Sequence, residues 1–124
     1  MLREDYPDGW VVSRLARLFR LTYYAKRNTI SFMIKTFRSK ETEALFQDRD
    51  VRRFRSIEKA ARRKLLYLHR ARTLEDLRVP PGNHLEMLKG DRNGQQSIRV
   101  HDQWRICFVW HNGEVFDVEI VDYH

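Results

Sequence analysis

The residues able to do chemistry crowd into the last third of this 124-residue chain. Lys89, Arg105, Asp122 and His124 supply two cations, a carboxylate and an imidazole. An imidazole exchanges protons near neutral pH, whereas lysine and arginine are fixed positive charges suited to an anion such as phosphate. The chemistry on offer is proton transfer beside a bound anion. No cofactor and no metal are expected, because His69, His84, His101, His111 and His124 show no HExxH spacing and a single cysteine supplies no ligand cluster. The other histidines read as surface residues, with His101 in a tight turn. Cys107 sits in the apolar run Ile106-Cys107-Phe108-Val109 and reads as a small buried hydrophobe rather than a reactive thiol. A chain without an intrachain disulfide suits a reducing cytoplasm, the expected location.

These side chains must be gathered by strands. Asn112-Gly113 between two alternating runs signals a two-residue hairpin, since both central positions of a type I′ turn need positive φ. With that loop, His111 faces Glu114, Arg105 falls opposite Ile120, and Gln103 falls opposite Asp122. Alternation then puts Arg105, Asp122 and His124 on one sheet face, at the end farthest from the turn. Lys89 closes the preceding strand and reaches the same place if that strand pairs nearby. A slip of one residue would move Arg105 across the sheet. On spacing alone the favoured alternative is that Arg105, Asp122 and Lys89 make an ordinary surface ion-pair cluster and His124 is merely the chain end.

Upstream the period is helical. Ser39 can cap a short helix with Glu41 and Glu43 in its first turn and Leu45 and Phe46 on its apolar side. A longer helix is expected from about Asp50 to Arg72, where Phe54, Ile57, Ala61, Leu65 and Leu68 build one stripe. Its charge run, Arg52, Arg53, Arg55, Lys59, Arg62, Arg63 and Lys64, reads as a solvated face. Thr73 and Asp76 make a capping box for one more turn, and Pro80-Pro81-Gly82-Asn83 ends helix. Strands are expected at Leu85 to Leu88, Ser97 to Val100, Trp104 to Trp110 and Val115 to Tyr123. Helices first and strands after predict an α+β fold, with N-terminal helices packed on one face of a small antiparallel sheet.

The length suits one compact domain. Residues 1–32 read apart from it. Val12, Leu15, Leu18 and Phe19 at helical spacing among Arg14, Arg17 and Arg20 suggest a basic amphipathic helix, read as an arm packing on the domain or a partner, a membrane-surface helix or, the favoured reading, translated upstream sequence before a start at Met33; residues 33–124 form the domain, opening on strand-like Ile34-Lys35-Thr36-Phe37. Lys and Arg outnumber Asp and Glu by 24 to 17, so the natural partner is a polyanion or an acidic surface. No apolar run approaches the roughly 20 residues that cross a bilayer, and no membrane partner is expected.

Several ordered blocks carry a resemblance: Met33-Ile34-Lys35-Thr36-Phe37, Leu88-Lys89-Gly90-Asp91-Arg92 with Gly94, Ser97-Ile98-Arg99-Val100, Trp104-Arg105-Ile106-Cys107-Phe108, and Asp122-Tyr123-His124. From Met33 onward the chain resembles HigB-type toxins, the plasmid maintenance killer proteins of the RelE/ParE superfamily. The resemblance implies a microbial-RNase-like α+β fold and a ribosome-dependent endoribonuclease that cleaves messenger RNA in the decoding site and stops translation. It implies catalytic roles for Lys89, Arg105, Asp122, Tyr123 and His124, and RNA contacts at Glu86, Arg92 and Arg99. Glu86 stands where some members have a histidine, although a carboxylate also accepts a proton. The implied partners are a HigA-type helix-turn-helix antitoxin, the ribosome with its messenger, and operator DNA through the antitoxin.

RNA carries its own nucleophile, the 2′-OH, so cleavage needs only a base, an acid and charge stabilisation at phosphorus, without a metal. Lys89 and Arg105 would hold the phosphate and His124 would move protons, with Asp122 orienting it or acting as the base. Tyr123 would stack on a base or donate a hydrogen bond. Two competing functions are a ParE-like gyrase poison that cuts nothing and a noncatalytic nucleic-acid-binding module.

Overall fold

A computed structural model describes residues 34–123. The expectations for residues 1–32, for a start at Met33 and for His124 lie outside those residues.

Ser39 opens helix α1 (Lys40–Phe46): its hydroxyl accepts from the Thr42 N–H at 3.1 Å, and Glu41 and Glu43 occupy the first turn, where the helix dipole favours acids. The single long helix expected after it is divided. A 3₁₀ segment, Arg52–Ile57, precedes helix α2 (Glu58–Arg70). Phe54 and Ile57 lie three residues apart, and a three-residue turn stacks them on one face, so both stay buried while Arg52, Arg53 and Arg55 remain exposed. The Thr73–Asp76 capping box forms as expected and opens a 3₁₀ segment at Leu74–Arg78.

The sheet is antiparallel, in the order β1 (Glu86–Met87), β2 (Gln96–His101), β3 (Trp104–His111) and β4 (Glu114–Asp122). Both helices cover one face, giving the expected α+β layering. Leu45, Phe46, Phe54, Leu65 and Leu68 meet Ile98, Ile106, Phe108 and Ile120, all fully buried or within 1% of it. Each such side chain contributes about 1.5–3 kcal/mol by leaving water. The opening segment pairs in parallel with β4 only through isolated bridges, Ile34 with Val115 and Phe37 with Val118.

A β-bulge decides what the sheet presents. The Asn112-Gly113 turn has the expected positive φ values, 50° and 77°, and pairing starts as expected at His111↔Glu114, Trp110↔Val115 and Val109↔Phe116. Asp117 then turns left-handed, φ 54°, and the register moves by one residue to Cys107↔Glu119, Ile106↔Ile120, Arg105↔Val121 and Trp104↔Asp122. Arg105 therefore faces Val121 and not Ile120, correcting the expected register. The cause is hydrophobic: unbroken alternation from Val115 would send Asp117 and Glu119 into the core, whereas one extra residue puts Val118 and Ile120 there. Thr36 holds the bulge, its Oγ1 accepting from the Asp117 N–H at 2.8 Å and its carbonyl from the Val118 N–H at 3.1 Å.

Candidate active site

The working face is the side of the sheet turned away from the helices. Glu86 lies opposite Ser97, Ser97 opposite Cys107 and Arg99 opposite Arg105, so all of them share that face. Between β1 and β2 the chain turns sharply at Gly90, φ 64°, with Arg92 N–H donating to the Lys89 carbonyl and Leu88 N–H to the Gln95 carbonyl. The turn folds Lys89, Asp91 and Arg92 over the sheet. A groove of about 600 Å³ results, lined by Glu86, Leu88, Lys89, Asp91, Arg92, Arg105 and Tyr123.

Arg105 forms its floor. Its Nε donates to Ser97 Oγ at 2.7 Å, and its Nη2 donates to the Ser97 carbonyl at 3.2 Å and to the His84 carbonyl. Glu86 Oε1 is 3.7 Å from the same Nη2. With Nε and Nη2 committed, Nη1 is the guanidinium nitrogen that carries no acceptor among the described residues. A fork held on one edge, with one nitrogen left to take an acceptor, suits a phosphate oxygen.

Arg92 is held similarly, its Nη1 donating to Gln95 Oε1 at 3.0 Å and Glu119 Oε1 at 3.3 Å. Burial works against its charge, but the neighbouring Cys107 and Glu119 more than offset it and raise the guanidinium above its ordinary value. Tyr123 donates its N–H to the Gln103 carbonyl at 2.9 Å and brings its hydroxyl to 3.6 Å from Cys107 Sγ. Burial, reinforced by the Cys107 contact, pushes the Tyr123 phenol up, and burial also pushes the Cys107 thiol up. Both are thus protonated at neutral pH, and Tyr123 offers a hydrogen-bond donor and an aromatic face, not a base. Cys107 is fully buried, as its apolar surroundings led one to expect. Lys89 is exposed and makes no ion pair among the described residues.

Six of the eight expected residues share the groove face. Glu86, Lys89, Arg92, Arg105 and Tyr123 line the groove, and Arg99 lies on the same face outside the lining. Asp122 does not join them. The register shift pairs it with Trp104, whose ring packs edge-on against Phe54 on the helix side, so the expected meeting of Arg105 and Asp122 on one face is corrected. His124 lies outside the described residues. Three supports went unforeseen: Ser97 beneath Arg105, and Gln95 and Glu119 behind Arg92. The apolar spacing of Val115, Val118 and Ile120 is the signal that would have placed Glu119 on this face.

Two residues assigned to the surface are interior. His69 is 1% exposed and meets the Phe46 ring edge-on at 5.1 Å; burial, with the charge of Lys35, depresses it to about 3, so it is neutral in the fold. Lys64 is 6% exposed because Asn83, itself buried, supplies an acceptor for its ammonium. Among the described residues no three His, Cys, Asp or Glu side chains come together as a metal-binding group, and no helix is long and apolar enough to cross a membrane.

A sequence model for the RelE-like toxin of type II toxin-antitoxin systems, HigB, matches residues 35–124. Over 83 residues the chain is 42% identical to Toxin HigB-1 of Vibrio cholerae serotype O1, covering 65% of this chain and 87% of that protein. It is 48% identical over 40 residues to Endoribonuclease HigB of Proteus vulgaris, covering 32% of this chain and 44% of that protein. An uncharacterized protein of Haemophilus influenzae is 42% identical over 57 residues, 46% of this chain and 56% of its own.

Proposed function

Since the chain belongs to the family of HigB, the RelE-like toxins of type II toxin-antitoxin systems, we propose that it is an endoribonuclease that cuts messenger RNA in the decoding site of the ribosome. A type II toxin implies an antitoxin partner; a HigA-type helix-turn-helix protein that silences this chain and ties it to operator DNA is part of the same proposal. The observation that carries it is the gathering of Lys89, Arg92 and Arg105 around one groove with Glu86 and Tyr123 among them. The Proteus vulgaris relative, named Endoribonuclease HigB, points the same way.

In the proposed reaction the scissile phosphodiester lies against Lys89 and the Nη1 of Arg105, which offset the charge that builds on the nonbridging oxygens. Glu86 takes the proton of the 2′-OH. The 2′-oxygen bonds to phosphorus as the P–O5′ bond breaks, leaving a 2′,3′-cyclic phosphate, and His124 gives a proton to the departing 5′-oxygen. Atoms and charge balance without a metal. Tyr123 stacks on a base next to the cut, and Asp122, on the other face, acts only through the chain end that it precedes.

Brief induction followed by mapping of messenger 5′ ends tests the proposal. New ends inside translated codons are expected, lost in a folded Lys89→Ala variant. DNA damage without new messenger ends would replace the nuclease with a gyrase poison.

A further inference from the structure

Lys64 is the only buried lysine among the described residues, and it stands on α2, across the sheet from the groove. Burial first, and then the charges of Arg63 and Arg99, lower its pKa, so holding an ammonium there costs free energy unless a partner compensates. The partner is Asn83. The Lys64 Nζ donates to Asn83 Oδ1 and also lies 5.2 Å from the centre of the Tyr67 ring. Asn83, 0% exposed, uses its other end to tie the preceding loop: Nδ2 donates to the Leu77 carbonyl at 3.0 Å and to the Val79 carbonyl at 3.2 Å.

The next residue is His84. Its backbone is left-handed, φ 44° and ψ 61°, a conformation that a non-glycine residue keeps only when its surroundings hold it. That conformation aims the His84 carbonyl at Arg105 Nη2. Two polar contacts joined by the Asn83–His84 backbone therefore link Lys64 on α2 to the guanidinium on the groove floor. Two residues beyond His84, Glu86 enters the same groove.

We propose that Lys64 and Asn83 are positioning residues for the reaction: their buried hydrogen bond fixes the His84 carbonyl, and that carbonyl fixes the Arg105 fork that receives the scissile phosphate. Leu77 and Leu85 anchor the ends of this loop by packing, and the Asn83 and His84 N–H groups close its turn on the Pro80 and Pro81 carbonyls at 2.9 and 3.1 Å. The side-chain pair ties that turn to α2. Neither residue touches substrate. The inference rests on the ribonuclease reading of the groove.

The test is a double-mutant cycle on full-length chain, scored by the rate of cleavage of a defined messenger bound to ribosomes. Lys64→Met keeps the apolar stem and removes the ammonium. If Lys64 works through Arg105, it should lower kcat/KM roughly tenfold, mainly in kcat, when Arg105 is present, and by less than about twofold when Arg105 is already Lys. A variant that merely loosened the fold would lose the same factor in both backgrounds, and that additive result would overturn the inference. Should Lys64→Met melt below the assay temperature, Lys64→Gln, which retains an N–H donor facing Asn83, goes through the same cycle with a smaller expected loss and the same deciding comparison. The Arg105→Lys arm separates the two layers: if it cuts as fast as the native chain, the groove reading fails and takes this inference with it. If Arg105→Lys is slowed while Lys64→Met and Asn83→Ala cut at native rate, the groove reading stands and the strut alone is refuted.

Discussion

Replacing His69 by leucine should flatten the acid side of the stability curve by an amount set by its burial. The ring is fully enclosed against Phe46 and titrates in the fold at about 3, against 6.5 for an open histidine. Between those values the unfolded chain binds a proton that the folded chain refuses, so acid favours unfolding. The stability this group contributes is complete above pH 6.5 and drains away as pH falls toward 3. From those two values the loss attributable to His69 is about 2 kcal/mol by pH 5 and approaches about 5 kcal/mol at the acid limit. Leucine fills similar volume and has no proton to bind, so the variant should lack this component whatever its stability at neutral pH. Urea unfolding followed by tryptophan fluorescence at pH 7 and pH 5 reads the effect directly. The native chain should lose about 2 kcal/mol more than His69→Leu over that interval. An equal drop in the two proteins would refute a neutral, buried His69.

If Tyr123 stacks on a base as proposed, Tyr123→Phe should keep most cleavage activity and Tyr123→Ala should lose roughly tenfold or more, because stacking on one base is worth about 1–3 kcal/mol and the hydroxyl makes only a long contact to the Cys107 thiol; kcat/KM on ribosome-bound messenger separates the two. Thr36→Val should cost about 1 kcal/mol, since the Asp117 N–H loses its hydroxyl acceptor at the bulge; a lowered urea midpoint with unchanged m is the expected signature.

Local signals in the sequence were strong wherever a few adjacent residues fix the backbone. Ser39 before Glu41 and Glu43, Thr73 with Asp76, and Asn112-Gly113 each satisfy or bend their own neighbouring peptides, and each forms as its residues imply. The order of helices and strands followed from periodicity, and the ordered blocks around Lys89 and Arg105 were enough to identify the family. Less legible was any feature whose partner is remote in sequence. Lys64 reads as one more charge on a basic helix until Asn83, nineteen residues on, supplies its acceptor. His69 reads as a surface histidine until Phe46 closes over it.

By itself, then, the sequence determined the α+β layering, the hairpin turn, the family and the identity of the groove cations. The tertiary structure decided which side of the sheet each of the last residues occupies. Strand alternation propagates one extra residue into a change of face for everything after it, and the extra residue sits at Asp117 because the core needs Val118 and Ile120 while Thr36, 81 positions away, accepts the displaced N–H. That remote contact turns Tyr123 toward Arg105 and leaves Asp122 beside Trp104.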